Sequence, residues 1–193
     1  MAPAGANLFN DLVECVGSHG IEVLRRNMEI DKPGEFDGQT ITINPRHDRE
    51  ALSFYVAHAM GSICQWSTDF EHSRKVFDEL REAKKRRDAP VLAGALERWR
   101  RFEEASSGHA VWTLADIGHS ETVEPYTVFF RADIEAMTIF HRTGKEPRWP
   151  DFFAEWKQKV ARGENQIEPF QPRPIGPFKP VQIPKQEVLQ ERD

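Results

Sequence analysis

Cysteine is scarce. Cys15 and Cys64 are the only two in 193 residues. Each lies within an apolar helical pattern, so both read as buried thiols of a reducing compartment and not as a disulfide framework, and a cytoplasmic location follows. Long hydrophobic runs are missing too: no stretch approaches the roughly 20 apolar residues that span a bilayer. Met1 to Asn10 has neither a basic start nor a long apolar core, so neither a signal peptide nor a membrane partner is expected. There is no glycine-rich phosphate loop, no Gly-x-Ser-x-Gly elbow, no Cys-x-x-Cys pair and no internal repeat. Nucleotide hydrolysis, serine-hydrolase chemistry and a zinc ribbon therefore lack support. Positive charge is also short: 26 Lys and Arg against 31 Asp and Glu leave a net charge of -5, which argues against an obligate nucleic-acid binder.

What is present is enough for one core. A hydrophobic fraction of 39%, with five Trp and thirteen Phe, fits a single domain plus an appendage. Leu8, Phe9, Leu12, Val13 and Val16 have helical spacing over residues 8–19 and stop at Gly17 or Gly20. Ile21 to Leu24 is a short strand candidate. Asp31-Lys32-Pro33-Gly34 and Asp37-Gly38 are turn signals, and Gln39 to Asn44 alternates with period two in β-branched residues before Pro45 stops it. A helix over 48–66 places Leu52, Tyr55, Val56, Ala59, Ile63 and Trp66 on one face, with His58 and Ser62 side by side on its flank, where either a ligand pair at the edge of a cleft or an ordinary boundary histidine would sit. A charged amphipathic helix covers 71–87. Asp88-Ala89-Pro90 restarts a helix that runs to about Ile117. Further helices cover 125–142, apolar most of the way round and closed by Gly144, and the segment from Pro150 to Gly163.

The chain divides at that glycine. Residues 1–162 form a mainly helical domain, and residues 163–193 form an extended tail punctuated by Pro169, Pro172, Pro174, Pro177, Pro180 and Pro184. Phe170, Ile175, Phe178, Val181 and Ile183 give that tail apolar side chains to lay on a groove of this chain or of a partner. A tail exchanged with a neighbour would make a homodimer.

Chemistry concentrates in two places. Ala57-His58-Ala59-Met60-Gly61-Ser62 stands where a His-Glu-x-x-His helix would bind zinc through two imidazoles one turn apart and polarise water through the Glu. The first His is His58, but Ala59 replaces the Glu and Ser62 the second His. In the following long helix, Leu92, Leu96, Trp99, Glu103, Ser106, Ser107, Ala110, Leu114 and Ile117 form one stripe with Glu103 at its centre. A carboxylate there is costly unless paired, protonated or bound to metal, and the plain structural explanations are an Arg salt bridge or a wet gap in the packing. His47-Asp48, His109 and His119 are the other candidates near a site, although His109 lies about 120° off the Glu103 stripe.

The order of these motifs resembles the N-terminal metallopeptidase domain of the ImmA/IrrE type. In that family a Gly-Ile-x-Val strand, a strand ending Ile-x-Ile-Asn after Asp-Gly, and an Ala-His-Glu-x-Gly-His helix follow one another. Here Gly20-Ile21-Glu22-Val23, Asp37-Gly38 with Ile41-Thr42-Ile43-Asn44, and Ala57 to Ser62 occur in that order over about residues 8–117. The resemblance implies an α+β, mainly α, zincin-like fold, with a small N-terminal sheet packed on the motif helix and a helical bundle after it. It further implies that His58 and Glu103 are the first and third zinc positions, Glu103, Ser106 and Ala110 matching an E-x-x-A-x-x-x-A pattern. Both Ala59 and Ser62 depart on the chemistry itself. A methyl cannot take a proton from water, and a neutral hydroxyl is a poor zinc ligand. The expectation is a catalytically inactive metallopeptidase-like protein with no cofactor, serving as a protein-interaction or regulatory module. The alternatives are a divergent metallohydrolase with an atypical zinc site, such as His58, Glu103 and His119, and a helical nucleic-acid-associated protein using Arg74 to Arg101. Asp78, Glu79, Glu82, Asp88 and Glu97 interrupt that last stretch and favour a solvated helix face.

Overall fold

A single helix at the centre organises an α+β, mainly α, architecture. The computed structural model describes residues 4–28, 33–86 and 88–184. Helix α1 (Ala4–Ser18) buries Leu8, Phe9, Leu12 and Val16 along one side, as the spacing requires. It is followed by β1 (Glu22–Arg25), β2 (Gly34–Phe36) and β3 (Thr40–Ile43), with β3 in the middle of the sheet. β1 runs parallel to β3, Val23 opposite Ile41, and β2 runs antiparallel to it, Phe36 opposite Ile41. The β2–β3 turn is made by Asp37, whose Oδ1 accepts the backbone N–H groups of Gln39 and Thr40 at 3.0 and 2.9 Å, and by Gly38 at φ +94°.

Two strand expectations shift by a residue at their ends, and one strand was not expected. Gly34 belongs to β2 and is not turn alone. Three residues are too few to display an alternating pattern, and the neighbouring Asp31 and Lys32 lie outside the described residues.

Helix α2 (Arg49–Thr68) starts where Asp48 caps it, its side chain accepting from the Ala51 N–H at 2.8 Å. α3 (Phe70–Arg86), α4 (Ala89–Asp116), α5 (Val123–Thr143) and α6 (Trp149–Ala161) complete the helices. Asp88 caps α4 through the Val91 N–H, and Gly144, at φ +72°, ends α5. α2 packs most extensively on α4 and also meets α1, α3 and the sheet. It is consequently buried on nearly every side, from Leu52 through Trp66. This corrects the one-faced reading of that helix: its flank lies under other helices and is not the lip of an open cleft. Trp66 anchors the α2–α3–α4 junction against Phe77 and Phe102, with ring centroids 5.4 and 6.2 Å away. Cys64 is buried as expected, whereas Cys15 is only half-buried, and both are free thiols. Burial pushes Cys64 up to about 11.

Beyond α6 the chain has neither helix nor strand through Pro184, and it lies along its own body. Phe170 and Ile183 are each only 4% exposed and join the main core. No helix among the described residues is long and apolar enough to cross a membrane.

Candidate functional site

The sequence brings α2 and α4 together through small residues. A Cβ at Gly61 would collide with the Ser106 backbone carbonyl, so only glycine permits this approach. One helical turn earlier on each helix stand His58 and Glu103, and their side chains meet: Nε2 of His58 lies 3.1 Å from Oε2 of Glu103. Both are largely shielded, with side-chain exposures of 11% and 15%. The partner of the stripe carboxylate is thus a histidine and not an arginine.

α5 closes the site from above. Tyr126 Oη lies 3.2 Å from His58 Nδ1, and the Phe130 ring stacks on the imidazole at 4.1 Å and 13°. Nε2 faces the Glu103 carboxylate and Nδ1 the Tyr126 hydroxyl, so both ring nitrogens have a partner. Burial pushes the Tyr126 phenol well above its ordinary range; Ser107 pulls the other way, and Glu103 and Asp133 add to the rise. Asp133 follows on the same face of α5, at the i, i+4, i+7 spacing of Tyr126, Phe130 and Asp133. Burial raises its carboxyl to about 6; the His58 ring pulls the other way, and Glu103 and Glu146 push it up. Tyr126 and Asp133 escaped the sequence reading. The available signal was a phenol and a carboxylate two turns apart on one face of a helix otherwise read as apolar.

The remaining candidates go elsewhere. Ala59 and Ser62 are 0% and 2% exposed on α2. His109 Nδ1 donates to the Arg173 carbonyl in the tail at 3.0 Å. His119 pairs with Asp11 on α1 at 2.8 Å and with Glu121 at 3.4 Å. His47 precedes α2 and lines a shallow surface hollow with Phe9, Arg25 and Arg49. The rearranged triad of His58, Glu103 and His119 therefore does not assemble.

A zinc ion of the kind the resemblance implies does not fit this donor set. A catalytic zinc takes three protein ligands and an open position. Here the converging donors are His58 and Glu103, and among the described residues no three His, Cys, Asp or Glu side chains are grouped to hold a metal. The Ala59 methyl and the Ser62 hydroxyl supply neither the base nor the missing imidazole.

The basic stretch is largely self-neutralised. Arg74 pairs with Glu71, Arg81 with Asp78, Lys85 with Glu82, Arg101 with Glu97, and Arg98 with Glu79 across α3 and α4. Exposed pairs of this type contribute little to stability individually. No protein-family model, curated protein or solved structure matches this chain.

Proposed function

We propose that this protein is a zincin-like scaffold without peptidase chemistry that works by binding another protein. The observation that carries the reading is the saturation of His58. Its Nε2 is engaged by Glu103, its Nδ1 by Tyr126, and its ring face by Phe130. A metal ligand needs a lone pair aimed at an open position, and a catalytic base needs a substrate proton within reach. This imidazole offers neither. The loss of the catalytic carboxylate at Ala59 and of the second imidazole at Ser62 agrees with a site converted into packing.

The second reading is the divergent metallohydrolase, because His58 and Glu103, the first and third zinc positions the resemblance implies, do come together. Elemental analysis of protein purified without chelator or metal affinity resin separates the two. The expected result is no stoichiometric metal and no metal-dependent hydrolysis. About one zinc per chain, lost in both His58→Ala and Glu103→Ala, would overturn the non-catalytic reading.

A further inference from the structure

We propose that the path from Tyr126 and Arg131, over Gly108 and His109, past His19 to Asp37–Gly38, is a groove for an extended, proline-rich peptide. This chain fills it with its own tail, and the partner segment it fits is one of the same chemistry. The inference rests on the interaction-module reading and names the class of partner.

The tail shows what the groove selects. Pro174-Ile175-Gly176, Pro177-Phe178-Lys179 and Pro180-Val181-Gln182 repeat a triplet in which proline is followed by an apolar residue. Three residues is the turn of a polyproline II helix, so the apolar members share one edge. Ile175, Phe178 and Val181 all pack against the core, while Pro174 and Pro177 stay exposed. Phe178 stacks on the His19 ring at 5.3 Å.

Main-chain contacts hold both ends. The Arg173 N–H donates to the Gly108 carbonyl at 3.0 Å while the Arg173 carbonyl accepts from His109, a two-point clamp indifferent to side chain. Ten residues on, the Ile183 N–H donates to the Asp37 carbonyl at 2.7 Å, and Gln182 Nε2 donates to the same oxygen at 3.0 Å. Beside each clamp is a glycine notch: a Cβ on Gly108 would strike the Gln171 carbonyl, and one on Gly38 the Val181 carbonyl. A glycine in the middle of a helix is unfavourable for that helix, and at Gly108 the approach of an extended backbone accounts for it.

An aromatic anchor leads the segment. Phe170 sits edge-on to Tyr126 at 6.2 Å beneath the Arg131 guanidinium at 4.1 Å. Arg131 is itself fixed by Glu104 at 2.8 Å and by the Glu168 carbonyl at 2.9 Å. The groove therefore reads an aromatic residue, a main-chain clamp three residues later, and a run of proline–apolar triplets. None of these features requires a covalent link to the body. The link contributes an effective concentration of order millimolar, against which a partner must compete.

The test uses the full chain with its tail weakened at either end, Phe170→Ala or Ile183→Asp, and a fluorescent synthetic peptide spanning 168–184, followed by anisotropy. Circular dichroism first establishes that each variant is folded; the two substitutions lie at opposite ends, so failure of one leaves the other to decide. The peptide is expected to bind a folded variant at least about tenfold more tightly than the wild-type chain. Adding Gly108→Val to the variant, or Phe178→Ser to the peptide, should abolish most of that gain. No binding to a folded, tail-weakened chain would overturn the proposal, as would equal binding to wild type. A wild-type dimer that exchanges tails and resists the peptide would assign the groove to a second copy and overturn the partner reading. The metal assay is independent of all these outcomes.

Discussion

On one side of α4, Ser106 lies against Gly61 of α2; on another, Gly108 lies against Gln171 of the tail. Both are notches where a missing side chain admits a neighbouring backbone. What surrounds them differs. Around Gly61 the residues from Val56 to Ile63 are buried without interruption, and the His58–Glu103–Tyr126 chain of hydrogen bonds spans three helices. Around Gly108 the neighbour is an extended strap that is anchored by Phe170 and Ile183 and only half-buried at Ile175, Phe178 and Val181. The same local device thus makes a permanent helix crossing in one place and a peptide contact in the other. Permanence comes from the apolar area and buried polar pairs around the notch, because van der Waals contact at the notch itself is worth little.

The largest effect should come from the inner side. His58→Ala removes the partner of Glu103 and leaves a shielded carboxylate unpaired, which costs about 3–5 kcal/mol. Urea unfolding at pH 7 measures it, and a loss below about 1 kcal/mol would show that the pair is not holding the crossing. In a double-mutant cycle with Glu103→Ala the two losses should be far from additive, since they break one interaction.

The two glycines give the next and more direct comparison. Gly61→Ala drives a methyl into backbone that cannot swing aside, for about 3 kcal/mol or more. Gly108→Ala replaces a poor helix former with the best one, a gain of about 1 kcal/mol for α4, while pushing the tail away. The expected outcome is an unfolding midpoint close to wild type together with much faster proteolysis between Gly163 and Pro184. Equal destabilisation by both substitutions would erase the distinction between crossing and strap.

How far this was legible in the sequence follows the range of the interactions. Helix ends marked by Asp48, Asp88 and Gly144 fall close to where local capping chemistry puts them. Glu103 stood out because an acid at the centre of an apolar stripe must find a partner. The partner, His58, was visible as a candidate through the motif, but the pairing spans 45 residues. Tyr126, 68 residues from His58, was not visible. Periodicity reports one helix at a time and carries no information about which helix covers another. The same limit explains the misplaced flank of α2: a helical wheel separates apolar from polar sides, but α2 is enclosed by elements on both. The tail was better marked, because proline spacing is a local signal and its three-residue apolar period survives without tertiary context.

The smallest expected effect is a dependence of tail docking on pH, confined to the outer side of α4. His109 is held below its ordinary pKa chiefly by burial, with the Arg173 guanidinium adding to this; the carbonyls of Arg173 and Pro174 pull it up. A histidine with a lowered folded pKa favours the docked state in its neutral form. Its contribution is fully present above the unfolded value of about 6.5 and is lost as pH falls below that through the folded value. Acid should therefore loosen the clamp at Arg173. Hydrogen exchange at the Arg173 amide, compared at pH 7.5 and 5 after correction for intrinsic rates, should show the difference, and His109→Gln should flatten it. An acid response of the same size in His109→Gln would show that His109 does not set the pH dependence of the clamp.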